Sequence, residues 1–250
     1  MKEKSVFMPQ FEMPSQESKA EFVKTNFDII SSKYDLFNDL NSFFMHRLWK
    51  DSVIQLIKKN FTREDLQCMD LCCGTGDISV RLANMPEVKK LYAVDFSEKM
   101  ISYARERLKS NSKAFVEIGD ATNLGKYPSE SLDVVTIGFG LRNVDKLELT
   151  LKEVNRVLKK GGLFINLDVG KVKNPLVRFF ADFYFFKIVP IFGYLIWGKR
   201  NDMFDYLPVS SLYYPNQEEL KQKILEANFE KVFYKNYVFG NVALHWGFKK

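Results

Sequence analysis

The residues with the most chemical content lie in Met69-Asp70-Leu71-Cys72-Cys73-Gly74-Thr75-Gly76-Asp77, followed by Ala93-Val94-Asp95. The first stretch reads as a strand running into a glycine turn that opens a helix. The second reads as the next strand, ending on an acid. Glycines let the backbone approach a ligand, and a carboxylate at the tip of the second strand can accept from both ribose hydroxyls. The pair points to a nucleoside-bearing cofactor. A dinucleotide site wants a third glycine, but Ser79 stands there. Asp70, just before the turn, would repel a pyrophosphate. S-adenosylmethionine carries no phosphate; its ammonium and sulfonium both favour nearby negative charge. Asp70, Gly74, Thr75, Gly76 and Asp95 therefore favour S-adenosylmethionine over NAD. The bland alternative is a tight βα turn with no ligand.

Two further loops extend this reading. Ala114-Phe115-Val116-Glu117-Ile118 is an apolar-rich run ending at Gly119-Asp120-Ala121. Asp120 can accept from an adenine amine, and the Ala121 N–H can donate to a ring nitrogen; taken alone, an ordinary loop aspartate is the better reading. The run from Asp133 to Val144 is a fourth strand and its exit loop. Gly138 and Gly140 admit the methionine end of the cofactor, and Arg142 and Asn143 project beside its methyl group. Arg142 can bind a carboxylate, orient a phenolic oxygen or simply cap a helix.

The elements that must position these residues alternate. Strands are expected near 67–72, 90–95, 114–119, 132–138 and 162–168, with helices near 77–84, 98–109 and 146–158. That alternation means an α/β fold with a parallel sheet and right-handed crossovers, and a ligand at the carboxyl ends of the strands. Lys159-Lys160-Gly161-Gly162 is expected to close the third of these helices, its glycine left-handed. A helix at 216–227 and a hairpin of strands at 229–239 and 241–248 would follow, turning at Phe239-Gly240-Asn241 and adding an antiparallel edge strand. Residues before about 15 are expected to be loosely ordered. An i/i+3/i+4 stripe through Phe22, Phe27, Ile30, Tyr34 and Phe37 places helical segments from Glu17 to Lys59. The aromatic stretch from Asn174 to Arg200 is interrupted by Arg178, Asp182 and Lys187, and Pro190 and Gly193 should kink it. Its clean apolar run, Ile188 to Gly198, falls short of the roughly 20 residues of a membrane span. A packed lid with some membrane contact is expected instead.

Composition bounds the rest. A chain of 250 residues buries one substantial core, so a single domain over 1–250 is expected. Its 23 phenylalanines call for an apolar pocket, a membrane-facing surface or simply an aromatic core. The net charge of +6 is spread along the chain without a nucleic-acid module, and suits mild attraction to anionic lipid. Cys68, Cys72 and Cys73 cluster on one strand and turn, and His46 and His245 are far apart, so no metal site is expected. Three thiols without a secretory h-region imply a cytoplasmic protein. The edge strand and aromatic surface allow a homodimer without requiring one.

Two blocks are more specific than the cofactor motifs. Lys33-Tyr34-Asp35-Leu36-Phe37-Asn38-Asp39-Leu40 with His46-Arg47-Leu48-Trp49-Lys50 is the first; Gly138-Phe139-Gly140-Leu141-Arg142-Asn143-Val144 is the second. Together with Arg156 to Gly162 and the ending Val242 to Lys249, they make the chain resemble the C-methyltransferases of menaquinone and ubiquinone biosynthesis, from about Phe27 to the C-terminus. The resemblance implies a class I methyltransferase: a Rossmann-like, seven-stranded, mainly parallel sheet. It would have a helical N-terminal cap (1–60), a cofactor-binding core (61–170), a hydrophobic lid (171–210) and a C-terminal helix and hairpin (211–250). It also implies transfer from S-adenosylmethionine to a ring carbon of a prenylated quinol, at a membrane surface that the protein meets peripherally. Carried over by position, Thr75, Asp95, Asp120, Ala121 and Gly138 contact the cofactor, and Arg142 with Tyr34 faces the quinol. The sequence departs from the family at Cys72-Cys73 (small residues elsewhere), at Gly138 (commonly Ser), and at Leu167-Asp168-Val169-Gly170-Lys171.

A quinone ring is electron-poor, so the acceptor must be the reduced quinol, with one hydroxyl deprotonated. Arg142, always protonated, suits stabilisation of the phenolate. Tyr34 or a water it holds can relay the proton; His46 is a second candidate, against a plain role as a helix residue bonded to backbone. The competing readings are a methyltransferase of a soluble small molecule, and a non-catalytic member of a quinone-synthesis complex that binds no cofactor.

Overall fold

The computed structural model describes residues 5–198 and 201–250. Strands β1 (Leu66–Leu71), β2 (Val88–Asp95), β3 (Ala114–Ile118), β4 (Leu132–Gly138), β5 (Leu158–Val169), β6 (Phe229–Tyr237) and β7 (Val242–Lys249) form one sheet in the order β3-β2-β1-β4-β5-β7-β6. The pairings from β3 through β5 are parallel, and β7 runs antiparallel to both β5 and β6. A parallel strand covered on both faces must be apolar throughout, and β4 (Leu-Asp-Val-Val-Thr-Ile-Gly) is buried except at its last residue. Strand order reverses between β1 and β4, so their exit loops diverge and leave a crevice at the carboxyl ends.

Helices α1 (Gln16–Ile30) and α2 (Tyr34–Asn41) lead into α3 (Met45–Asn60). Phe43 and Phe44, both at positive φ, turn the chain between the last two. The α3 helix joins α4 (Asp77–Ala83) and α5 (Glu98–Leu108) on one face of the sheet, around Val53, Ile57, Leu82 and Ile101. On the other face α6 (Leu147–Val157) packs through Leu151 and Val154. After β5 come α7 (Pro175–Phe183), a π-helical turn (Tyr184–Ile188), α8 (Val189–Trp197), α9 (Asp202–Tyr213) and α10 (Gln217–Glu226). A third apolar cluster ties α1 and α2 to α8 and α9 through Val23, Ile30, Phe37, Val189 and Phe204. This makes the N-terminal helices and the insertion one cap over the crevice.

Three sequence expectations are corrected. Gly161-Gly162 does not close α6: β5 begins at once at Leu158, and Gly161 (φ +72°) lies in a bulge of that strand. There β4 advances from Leu132 to Val134 while β5 advances from Leu158 to Leu163. The helix can stop without a glycine because Lys159 is drawn into the sheet, its Nζ 2.9 and 3.0 Å from the buried Asp133 carboxylate. Next, residues 5–15 carry no helix or strand, yet they are pinned by rings: Phe7 stacks edge-on to Phe179 and Phe183, and Phe11 to Tyr206. Finally, the segment from Pro175 to Trp197 is one continuous helical run of 23 residues that contains an 18-residue window of mean hydropathy 1.6, long and apolar enough by length and composition to cross a bilayer. Pro190 does not interrupt it because the wide π turn ahead of it accommodates the missing N–H. Gly193 is a contact glycine: a Cβ there would stand 2.6 Å from the Phe204 ring. Lys199 and Arg200, the end of the aromatic stretch, lie outside the described residues.

Candidate active site

A cavity of about 470 Å³ opens at the carboxyl ends of β1, β2 and β4, roofed by α1, α2, α3, the π turn, α8 and α9. Asp70, Gly74, Thr75, Asp95, Asp120, Ala121, Gly138, Arg142, Tyr34 and His46 all line it. Gly76 alone of the expected residues lies behind the wall. There it is left-handed (φ +85°) at the start of α4, where a Cβ would stand 3.2 Å from the Ala104 Cβ of α5.

The loop after β1 is shaped by backbone that ordinary residues resist. Cys72 and Gly74 also have positive φ. Asp95, nearly fully buried, accepts from the Gly74 and Ser97 N–H groups at 2.9 Å each. It thereby locks the β1 loop to the tip of β2, and burial raises its pKa. Asp70 sits beneath the turn: Ser79 Oγ donates to it at 2.5 Å and Thr136 Oγ1 at 2.9 Å, and burial pushes its pKa up to about 6. Ser79, in the place of a dinucleotide site's third glycine, thus serves as the donor to this buried acid. Asp77 occupies the first turn of α4, where a pyrophosphate would otherwise find a positive helix terminus. Thr75 Oγ1 donates to Asp35 of α2 at 2.8 Å, and Asp35 also pairs with Arg107 of α5, so the cap is fastened to the loop. Asp120 closes its own turn, accepting from Thr122 N and Oγ1 at 2.8 and 2.9 Å, with Ala121 buried behind it.

The loop after β4 carries the other half. A Cβ on Gly140 would lie 2.4 Å from Cys72 Cβ, so glycine is what lets the two loops touch. Gly138 faces Ile78, whose Cδ1 fills the space a side chain would take. Arg142 is buried with its Nη1 2.5 Å from Asp168 Oδ1 and 3.0 Å from the Phe139 carbonyl. Its own N–H donates to Asp168 Oδ2 at 3.1 Å. Burial is the largest influence and lowers the Arg142 pKa, but Asp168, with Tyr34 and Tyr206, more than offsets it and keeps the guanidinium charged, while its Nε is buried without a partner. Tyr34 faces Arg142; burial raises the phenol's pKa and the Arg142 charge opposes that rise. Tyr206, fully buried behind them, donates to Asn143 Oδ1 at 3.3 Å. Lys19 of α1 reaches the Arg142 and Val144 carbonyls at 3.3 and 2.8 Å, closing the cap on this loop.

The structure therefore brings Arg142 and Tyr34 together and sets His46 in another part of the same cavity, among other charged groups. The groups acting on His46 are Asp39, Lys50 and Asp77, and its hydrogen bond goes to the Asp39 side chain rather than to backbone. Sequence reading missed Asp168, Asp39 and Lys50. Asp168 was within reach: it is an acid ending a strand, like Asp95.

A glycine turn, an acid ending β2 and a cavity rich in carboxylates define the class: this is an S-adenosylmethionine-dependent methyltransferase of the class I, Rossmann-like fold. The solved SAM-dependent methyltransferase from Thermotoga maritima, titled a possible histamine N-methyltransferase, matches with a TM-score of 0.61 at 23% identity, over 91% of this chain and 99% of that one. The Haemonchus contortus phosphoethanolamine N-methyltransferase 2 in complex with S-adenosyl-L-methionine matches with a TM-score of 0.59 at 13% identity, over 80% of this chain and 52% of that one. Residues 14–249 match the model of the ubiE/COQ5 methyltransferase family, and the chain belongs to that family. It is 55% identical to the demethylmenaquinone methyltransferase of Leptospira interrogans over 95% of its length and 96% of that protein. It is 36% identical to the ubiquinone/menaquinone biosynthesis C-methyltransferase of Shewanella putrefaciens, over 93% and 92%.

Proposed function

We propose that this protein methylates a ring carbon of a prenylated quinol of the demethylmenaquinol type, with S-adenosylmethionine as donor. The observation that carries the reading is Arg142: a buried, Asp168-anchored guanidinium facing Tyr34, with a donor left over. When bound, S-adenosylmethionine supplies an electrophilic methyl group on a sulfonium. The cradle for it is the β1 turn, with Asp95 for the ribose and Asp120 and Ala121 for the adenine. Arg142 holds the quinol oxygen as a phenolate, which raises electron density on the adjacent ring carbon. Arg142 has no proton to accept, so Tyr34 or a water between the two passes the hydroxyl proton outward. Trp49 and Phe139, 6.4 Å apart by ring centroid, give the quinol an apolar wall. Orientation inside a closed cavity supplies much of the acceleration in a two-substrate reaction.

The prenyl tail accounts for the insertion. Tyr184, Phe185 and Val189 of the 175–197 run face the cavity, while Leu176, Phe179, Phe180, Ile191 and Leu195 of the same run are exposed. One helical run thus leads from the ring site to the outside. Its exposed face, with Lys173 and Lys187 beside it, suits the anionic cytoplasmic leaflet. The naphthoquinol ring is preferred because the 55%-identical relative is named for demethylmenaquinone.

The test is methyl transfer by purified protein to reduced demethylmenaquinone, to the benzoquinol counterpart and to a panel of soluble phenols. Arg142→Ala is expected to lose at least about 100-fold in rate, the scale of removing one preorganised oxyanion donor. Transfer to soluble phenols alone, or an Arg142→Ala rate equal to the parent's, would overturn the reading.

A further inference from the structure

S-adenosylmethionine ends in an α-ammonium and an α-carboxylate: Asp70, the acid expected near the ammonium, already accepts from Ser79 and Thr136 beneath the turn, and no cofactor residue assigned so far supplies a cation for the carboxylate. The cavity holds a second charged group that the mechanism does not use. His46 and Lys50 lie one turn apart on α3 and face Asp77 at the start of α4. Lys50 Nζ is 2.6 Å from Asp77 Oδ2 with the lysine side chain almost wholly buried. His46 Nδ1 is 3.9 Å from the same oxygen, buried and without a hydrogen-bond partner. Its other nitrogen, Nε2, is 2.8 Å from Asp39 Oδ1. Asp39 is gripped by Arg47 through both oxygens, at 2.8 and 2.6 Å. An ionised Asp39 accepts the Nε2 hydrogen, which leaves Nδ1 as a lone-pair acceptor. Arg81 of α4, which does not line the cavity, holds the other Asp77 oxygen. On the cavity side the site therefore presents the Lys50 ammonium, one Asp77 oxygen and the His46 Nδ1 side by side, two residues past Thr75 in the cofactor turn. A zwitterion is the complement of that arrangement.

We propose that Lys50, Asp77 and His46 form the clamp for the amino-acid end of the cofactor. Lys50 takes the α-carboxylate; Asp77 and His46 Nδ1 take the α-ammonium. Asp39 is a positioning residue that fixes the histidine tautomer. The proposal uses the S-adenosylmethionine assignment and is independent of the quinol.

Calorimetry with two ligands isolates it: S-adenosylhomocysteine carries the amino-acid end, and 5′-methylthioadenosine lacks it. The parent should bind S-adenosylhomocysteine at least about 100-fold more tightly, given more than one charge-assisted hydrogen bond. Lys50→Met should cut that preference by about 10-fold or more, one such bond's worth, with 5′-methylthioadenosine affinity held within about threefold. His46→Gln keeps a donor for Asp39 and removes the Nδ1 acceptor; it should also narrow the preference. An unchanged preference in Lys50→Met, or equal losses for both ligands, would overturn the clamp. So would a His46→Gln protein that keeps the preference but loses turnover at saturating cofactor, since His46 would then be the base. A parent that binds neither ligand would bring down the cofactor assignment itself.

Discussion

The arginine at the centre of the site is useful because of what holds it. A guanidinium that only capped a helix would need no buried counter-charge. Arg142 has Asp168 on both its side chain and its backbone N–H, so the carboxylate fixes charge and direction at once. Asp168→Asn should destabilise the protein by roughly 3 kcal/mol, because a buried guanidinium loses its partner, and should lower kcat/KM for the quinol by more than tenfold. Denaturant melts and steady-state rates measure the two effects, and parental values for both would refute the anchoring role. His245 shows the opposite use of a titratable group. Its Nε2 donates to the Gln217 carbonyl at 2.9 Å, and burial lowers its pKa from 6.5 to about 4. A depressed histidine favours the neutral native state, so its stabilisation is complete above pH 6.5 and lost as pH falls toward 4. His245→Gln keeps the donor and cannot titrate. At pH 5 the parent should therefore lose about 2 kcal/mol more than the variant, relative to pH 7. Asp70, raised to about 6, acts in the opposite sense, but it is common to both proteins and cancels in the comparison. Parallel stability curves from pH 7 to pH 5 would rule the effect out. These residues differ in legibility. Asp70, Asp95 and Arg142 announce themselves by motif and strand position. Asp168, Asp39 and Lys50 matter only through neighbours on other elements, which one-dimensional spacing does not display.

Elements meet at the site through two loops, and their closeness depends on one missing methyl. Gly140 after β4 lies against Cys72 after β1, and Cys72 itself carries a left-handed backbone at φ +57°. Gly140→Ala should cost about 1–3 kcal/mol by overpacking. Adding Cys72→Gly removes both the clashing Cβ and the positive-φ penalty, so the double variant should recover most of that loss. A double-mutant cycle on thermal or denaturant midpoints reads the coupling; strictly additive losses would show that the loops do not press on each other. The alternating pattern from Gln67 onward disclosed the sheet because parallel strands buried on both faces must be apolar and must be separated by helices. It did not disclose where β5 starts. Lys159-Lys160-Gly161-Gly162 has the composition of a helix stop, but the Asp133 carboxylate pulls Lys159 into the sheet, and that pairing is made across strands. Nor did composition disclose that 175–197 is one run, because the π turn that carries the chain past Pro190 leaves no local signature.

At the scale of the whole molecule the cap matters more than the sheet, which many methyltransferases share. The cap is bolted to the core by polar contacts at the site itself: Lys19 on the Arg142 loop, and Asp35 on Thr75 and Arg107. The insertion is bolted to the cap by Lys33 on the Ile196 carbonyl at 2.7 Å and Tyr184 on the Asn41 carbonyl at 3.0 Å. A helical run anchored along one side in this way can lie on a bilayer with its other side free, although its length would suffice to cross one. The proposed lipid-facing side includes Leu176, Phe180 and Leu195, each more than 60% exposed. Burying such a side chain is worth about 1.5–3 kcal/mol. Replacing all three with serine should therefore weaken binding to anionic phospholipid vesicles by at least about 100-fold. Sedimentation with vesicles measures that loss directly. Methylation of a long-chain quinol embedded in the vesicles should fall in parallel, whereas a quinol with a truncated, soluble side chain should be methylated at near the parental rate, because the ring site is untouched. A triple variant that still sediments with vesicles as the parent does would remove this face from the substrate's route. Equal losses on both quinols would mean that the substitutions act through the cap and the ring site rather than through the membrane.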